Sequence, residues 1–382
     1  PETLKKRFMI THFFNPPRYM HLLELVKGPN TDDSVYNEIA ILGEDVLGKG
    51  IVHAKDTPNF IGNRIGVYGM AVTMNTAIEH GLTVEEVDKL TGTVVGRPKS
   101  ATFRTADIVG LDTMVNVSNT SYNNLDDDER EQFKIPQFLQ KLVADGNLGA
   151  KTKAGFYKKI NDEILSLDLK TGEYGSQKKV RFDGFRIAKD RQSPGEKIKA
   201  MAYSNDKGGR FFWEVLSKSL IYSANRIPEI SDDIINIDNA MKWGFGWDMG
   251  PFEVWDAIGV SESVSKMEED GKQVPKWVKE MLASGHSNFY DMKDGNLNYF
   301  DIESSSMKIK ERNKKSINLN IHKTGGNVIK KDWSASLIDL GEGVLNVQFH
   351  SVLQPTLNPI DGSLAQTIND GIDLLDAGEY KA

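Results

Sequence analysis

The chain has 382 residues, 26% of them charged and 39% hydrophobic, which is ordinary for a soluble globular protein of two or three domains. Its net charge of −7 argues against a nucleic-acid partner, since phosphate binding wants a basic face. The lack of cysteine rules out a disulfide framework and a thiolate zinc site, and it suits a reducing, cytoplasmic setting.

The chain begins at Pro1, without Met and without a signal-peptide pattern, and runs almost at once into a strand. It therefore reads as an excised piece of a longer protein. Arg7 to Phe14 is an almost continuous apolar run that predicts a buried strand, closed by Asn15, Pro16 and Pro17. A second apolar run, His21 to Val26, follows immediately. If the chain reverses near Pro17, counting sets His12 opposite Leu22 to Glu24. A carboxylate between leucines is costly unless paired, and a carboxylate–imidazole pair makes a general base. The same residues also fit a structural histidine at a strand end, with Glu24 reaching solvent.

Thr31 to Ser34 predicts a helix start, with the helix running to about Leu47 and closed by Gly48 and Gly50. Ile51 to Ala54 predicts a short strand. These elements look like the last part of an α/β domain and cannot build a two-sided sheet alone. Thr57-Pro58 predicts the opening of a long helix, with proline at its first position and Ile61, Ile65, Tyr68, Val72 and Thr76 on one face. Gly81 ends it, and Thr83 with Glu86 forms a capping box for the next helix. The pattern stays helical to about Gly155, and the acidic run Asp126 to Glu131 reads as a solvated helix start.

The chain then repeats itself. Val87-Asp88, Gly96, Phe103, Asp107 and Gly110 return in order as Ile237-Asp238, Gly246, Phe252, Asp256 and Gly259. Gly155-Phe156-Tyr157 returns as Asn288-Phe289-Tyr290. Between the copies, residues 160 to 200 predict a polar hairpin-like insert, with strands at Ile164 to Asp168 and Lys179 to Phe182. Residues 301 to 335 predict a linker that includes short strands, its basic stretch Lys308 to Lys315 being solvated. Ala335 to Phe349 predicts two strands around a turn, and Leu364 to Leu375 a helix.

His12-Phe-Phe-Asn-Pro with Glu24, followed by Lys55-Asp-Thr-Pro-Asn-Phe-Ile-Gly-Asn-Arg64, resembles the L-3-hydroxyacyl-CoA dehydrogenase family. The resemblance implies a mainly α fold with α/β ends. Residues 1–56 would be the C-terminal part of a Rossmann-like NAD-binding domain. Residues 57–160 and 201–300 would be two copies of the family's helical C-terminal domain, packed as an internal pseudo-dimer, with 161–200 an insert and 301–334 a linker. Residues 335–382 resemble the opening of an enoyl-CoA hydratase (crotonase) domain, as in multifunctional fatty-acid oxidation proteins.

The resemblance also implies the chemistry. An acyl-CoA substrate would be oxidised with NAD, with His12 taking the hydroxyl proton, Glu24 holding its ring, and Asn63, one to two turns into the helix, donating to a developing oxyanion. Asn15 is a substrate contact or a turn residue, and Lys99 and Arg104 contact CoA phosphates or stay solvated. The family's Gly-x-Gly-x-x-Gly loop has no counterpart here. Gly48-Lys-Gly50, Gly244-Phe-Gly246 and Gly341-Glu-Gly343 are no such strand–turn–helix unit. The cofactor loop is therefore expected outside this chain, leaving it inactive alone. No metal, nucleic acid or membrane span is expected, and a homo-oligomer stays open. A non-catalytic helical scaffold is the rival reading, and a dehydrogenase with a lysine base is a third that lacks a lysine motif.

Overall fold

The computed structural model describes residues 2–126, 129–293, 296–311, 317–352 and 357–382. The acidic run Asp126 to Glu131 and the basic stretch Lys308 to Lys315 lie partly outside them. The model divides into two units: Pro1–Phe289 with Phe300–Ser306, and Tyr290–Tyr299 with Met307–Ala382.

The first unit opens with a short helix, α1 (Glu2–Lys6), and the strands β1 (Met9–Phe13) and β2 (Leu22–Lys27). Then come α2 (Asp33–Ile41), a π-helical turn (Leu42–Val46) and β3 (Gly50–Ala54). β1 runs antiparallel to β2, and β3 parallel to it, in the order β1-β2-β3. Leu22 to Val26 is buried throughout, as expected for a strand covered on both faces. On one face a Cβ at Gly43, in the π-helical turn, would meet Leu23 and Ile51.

β1 corrects the expectation of a buried strand. It is shorter than Arg7 to Phe14, it forms the edge of this sheet, and its residues are half-buried or exposed, while Phe8 just before it is 61% exposed. An apolar run alone does not tell an edge from a centre.

The helical part begins with α3 (Gly62–His80), whose predicted face Ile61, Ile65, Tyr68, Val72 and Thr76 is buried. Its start is a second correction. Pro58 is not in the helix, because Asn59 and Phe60 both adopt left-handed backbone, φ 66° and 49°. Gly81, left-handed at φ 60°, ends α3 as predicted, and the capping box Thr83–Glu86 opens α4 (Val84–Leu90). α5 (Phe103–Val109), α6 (Leu111–Asn124) and α7 (Gln137–Ala144) follow.

The insert is a three-stranded antiparallel sheet of β4 (Tyr157–Ile160), β5 (Glu163–Leu167) and β6 (Tyr174–Ser176). The strand expected at Lys179 to Phe182 is not there; the third strand lies earlier, just after the Thr171-Gly172 turn. α8 (Asp183–Lys189) and α9 (Pro194–Ala202) follow, and α9 runs across the expected boundary at residue 200. α10 (Lys207–Asn225), α11 (Ile234–Phe245), α12 (Pro251–Ile258), α13 (Val260–Glu269) and α14 (Lys276–Ala283) complete the helical part.

The two helical stretches use the same devices at matching positions. The Asp88 carboxylate accepts the N–H groups of Thr102, Phe103 and Arg104 at the start of α5; Asp238 accepts those of Phe252 and Glu253 at the start of α12. Asp107 accepts the N–H of Phe156 and Asp256 that of Phe289, in each case stapling the closing segment to the helix. Gly96 and Gly246 are left-handed caps at φ 68° and 65°. The stretches pack through α3 and α10, with Tyr68 stacked on Tyr222 at 3.6 Å and 4° between planes. Arg97 lies over the Trp247 ring, so the matching turns also meet.

α11 covers the second face of the sheet, which the opening elements alone do not cover. A Cβ at Gly50 would strike the Trp243 ring at 2.4 Å, and one at Gly244 would strike Leu22 at 2.6 Å. Asn236 accepts the N–H of His53 at 2.9 Å.

The second unit holds β7 (Tyr290–Lys293) and most of β8 (Asn296–Asp301) and β9 (Ser306–Ile309), which form a three-stranded sheet in the order β7-β8-β9. It continues with α15 (Leu319–Thr324), the antiparallel sheet β10 (Val328–Lys331), β11 (Ala335–Gly341) and β12 (Val344–Phe349), and α16 (Gly362–Asp376). The two strands and the helix foreseen beyond Ala335 are present.

Candidate active site

His12 pairs directly with Glu24 across β1 and β2. Residues opposite each other in a ladder project to the same face, so the pairing brings the two side chains together. His12 Nδ1 lies 2.6 Å from Glu24 Oε2. Glu24 is fully buried, whereas the His12 side chain keeps 31% of its surface exposed. With Nδ1 held by a carboxylate, the neutral ring presents the Nε2 lone pair outward, which is the arrangement of a base. The ring sits beside Phe14 and Phe60, at 5.1 and 5.6 Å between centroids.

The second oxygen of Glu24 explains how a carboxylate survives in the core. Glu24 Oε1 accepts the backbone N–H of Ile61 at 3.0 Å and of Gly62 at 2.8 Å. These are unsatisfied donors at the start of α3, where the helix end carries partial positive charge. The left-handed Asn59 and Phe60 aim those amides at Glu24, in place of a helix continuing from Pro58. A Cβ at Gly62 would come within 2.6 Å of Phe14, so only glycine lets the helix approach the ring that flanks His12.

Asn63 is the second residue of α3, in its first turn and not the one to two turns into the helix expected. Asn15 is exposed in the turn between β1 and β2. Lys99 and Arg104 are exposed on the turn and first residues leading into α5, and Arg104 lies over the Tyr157 ring at 4.7 Å. Among the described residues, neither forms a hydrogen bond or ion pair with His12, Glu24 or Asn63. Ile61 and Gly62 act through their backbone amides, so no side-chain signal in the sequence marks them.

A strand-borne His–Glu pair is seated on a helix N-terminus, beside duplicated helical stretches, in a mainly helical protein that opens with a small α/β sheet. The family's NAD-binding domain model matches residues 3–57, and its C-terminal domain model matches 60–159 and 220–289, the stretches that carry the repeat. The chain belongs to the 3-hydroxyacyl-CoA dehydrogenase family. A Bacillus subtilis (strain 168) protein described as a probable 3-hydroxyacyl-CoA dehydrogenase is 46% identical over 97% of this chain and 46% of its own length. A Rickettsia prowazekii protein described as a fatty acid oxidation complex trifunctional enzyme is 31% identical over 66% of this chain and 35% of its own length.

The crystal structure of 3-hydroxybutyryl-CoA dehydrogenase from Escherichia coli K12 matches 74% of this chain and 72% of its own, with a TM-score of 0.51 and 19% identity, a likeness of fold. The chain spans less than half the length of the Bacillus relative. The NAD-binding match to residues 3–57 gives no support to a cofactor-binding region lying outside this chain. Among the described residues, no helix is long and apolar enough to cross a membrane.

Proposed function

We propose that the chain carries the proton-accepting machinery of an L-3-hydroxyacyl-CoA dehydrogenase of fatty-acid β-oxidation, working in the cytoplasm. The observation that supports this most directly is the 2.6 Å His12–Glu24 contact within the family's motif. Oxidising a 3-hydroxyl to a 3-oxo group removes a proton from oxygen and a hydride from carbon. NAD, when bound, supplies the hydride acceptor. His12 takes the proton at Nε2, and Glu24 stabilises the imidazolium that forms and fixes its tautomer. Asn63 donates its amide to the substrate oxygen as it gains carbonyl character. Asn15 borders the acyl-CoA, and Lys99 and Arg104 face its phosphates. No residue is assigned to the cofactor.

We also assign the two helical stretches to an internal pseudo-dimer, an arrangement supported by the Tyr68–Tyr222 stack and the duplicated aspartate devices. We further read residues 335–382, with two strands around a turn and a closing helix, as the opening of a hydratase domain.

The test has two arms. NADH formation from an L-3-hydroxyacyl-CoA is compared between the parent protein and His12→Ala, and the His12 imidazole is titrated by NMR with and without a 3-oxoacyl-CoA. A base in contact with substrate responds to the ligand and is needed for turnover. An imidazole indifferent to the ligand marks the pair as structural and the chain as a scaffold.

A further inference from the structure

Arg64 is fully buried two residues beyond the amide that Gly62 gives to Glu24. A buried guanidinium is costly unless its donors are engaged, so its partners define what the structure fixes around it. Two of them come from the second helical stretch. Arg64 Nε donates to Tyr222 Oη at 2.5 Å, and Nη2 donates to Glu229 Oε1 at 2.8 Å. Glu229 Oε2 in turn accepts from Arg226 at 2.6 Å, and Arg226 reaches Glu129 at 3.3 Å. Asn225 also donates to Glu129, at 2.7 Å. Tyr222 meanwhile stacks on Tyr68, one turn further along α3 from Arg64.

The first turn of α3 is therefore held from two sides. Ile61 and Gly62 face Glu24, and Arg64 faces Tyr222 and Glu229. A helix start is rigid only as far as its ends are engaged, and the position of Glu24 Oε1 follows that of the two amides. Glu24 uses its other oxygen on His12. A chain of short contacts thus runs from the second helical stretch through one helical turn to the imidazole.

We infer that Tyr222 and Glu229 are positioning residues for the His12–Glu24 pair, so that the second helical stretch braces the base contributed by the sheet. The inference rests on the proposal that His12 is the base. Both residues act through Arg64.

NMR titration of the His12 imidazole reads it out, performed on the full chain and on Tyr222→Phe, Glu229→Ala and Glu229→Gln, with thermal melts of each. Tyr222→Phe keeps the stack and removes only the hydroxyl. Loosening Glu24 weakens its hold on the imidazolium, so the proton affinity of His12 falls about threefold, half a unit on the pH axis, in Tyr222→Phe and Glu229→Ala. Glu229→Gln, which keeps an acceptor for Arg64 without the charge, restores most of it. Titrations that superimpose on the parent while melting temperatures fall would assign the network to stability alone and overturn the inference. So would a Glu229→Gln variant that behaves like Glu229→Ala, which marks a long-range charge effect. Turnover unchanged in His12→Ala removes the underlying proposal instead, so the two failures are told apart.

Discussion

Glu24 makes three short contacts with two oxygens, and each has a measurable consequence. Replacing His12 with Ala should lower turnover by about 10³-fold with little change in substrate binding, read as kcat against KM. Glu24→Ala removes the acceptor from two buried amides as well as the ring's anchor. It should cost about 2–3 kcal/mol in urea denaturation besides its effect on rate. Gly62→Ala should act on the same unit from the helix side. Its Cβ displaces Phe14 or the helix start, at about 1–3 kcal/mol, and the loss appears in both melting temperature and kcat.

At this scale the dyad was legible because ladder counting across the Pro16-Pro17 turn needs no tertiary knowledge. The amides were not legible. Thr57-Pro58 carries the local signs of a helix start, and a distant acceptor, Glu24, overrides them.

The helices and their caps show how far local chemistry reaches. The capping box at Thr83, the end of α3 at Gly81 and the order of the repeat were all readable. The work of the repeat's aspartates was not, although Asp88 and Asp107 each hold the backbone of a later segment. Burial pushes both carboxyls up to about 6, outweighing the N–H groups that pull them down. In the unfolded chain they titrate near 4. The native protein therefore keeps protons that the unfolded chain has released. Their contribution is complete below about pH 4, declines as pH rises, and is gone above about pH 6. Urea midpoints measured across that window should fall with rising pH, and Asp107→Asn should flatten the slope. A midpoint that climbs through the same range would contradict the assignment.

At the scale of the whole molecule, the sheet depends on residues nearly two hundred positions away. Leu22 and Gly50 meet Gly244 and Trp243 of α11, a contact that no pattern within either segment announces. The cover on the sheet's second face was therefore not legible from local pattern. A chain ending after Ile160 lacks α11 and leaves that face bare. It should lose its near-ultraviolet circular dichroism and become protease-sensitive between β1 and β3, while much of its helical signal remains. Full protection of that segment in the shortened chain would show the sheet to be self-sufficient.

The stacking of Tyr68 on Tyr222 carries a consequence for how such a protein can change. Two separate identical subunits must meet through a patch that suits itself, so every substitution there is felt twice. Joined on one thread, the halves answer to each other and no longer to themselves. One side can keep the residues next to the reaction while its twin drifts into a supporting wall, and a lesion far along the chain then surfaces as a defect in chemistry.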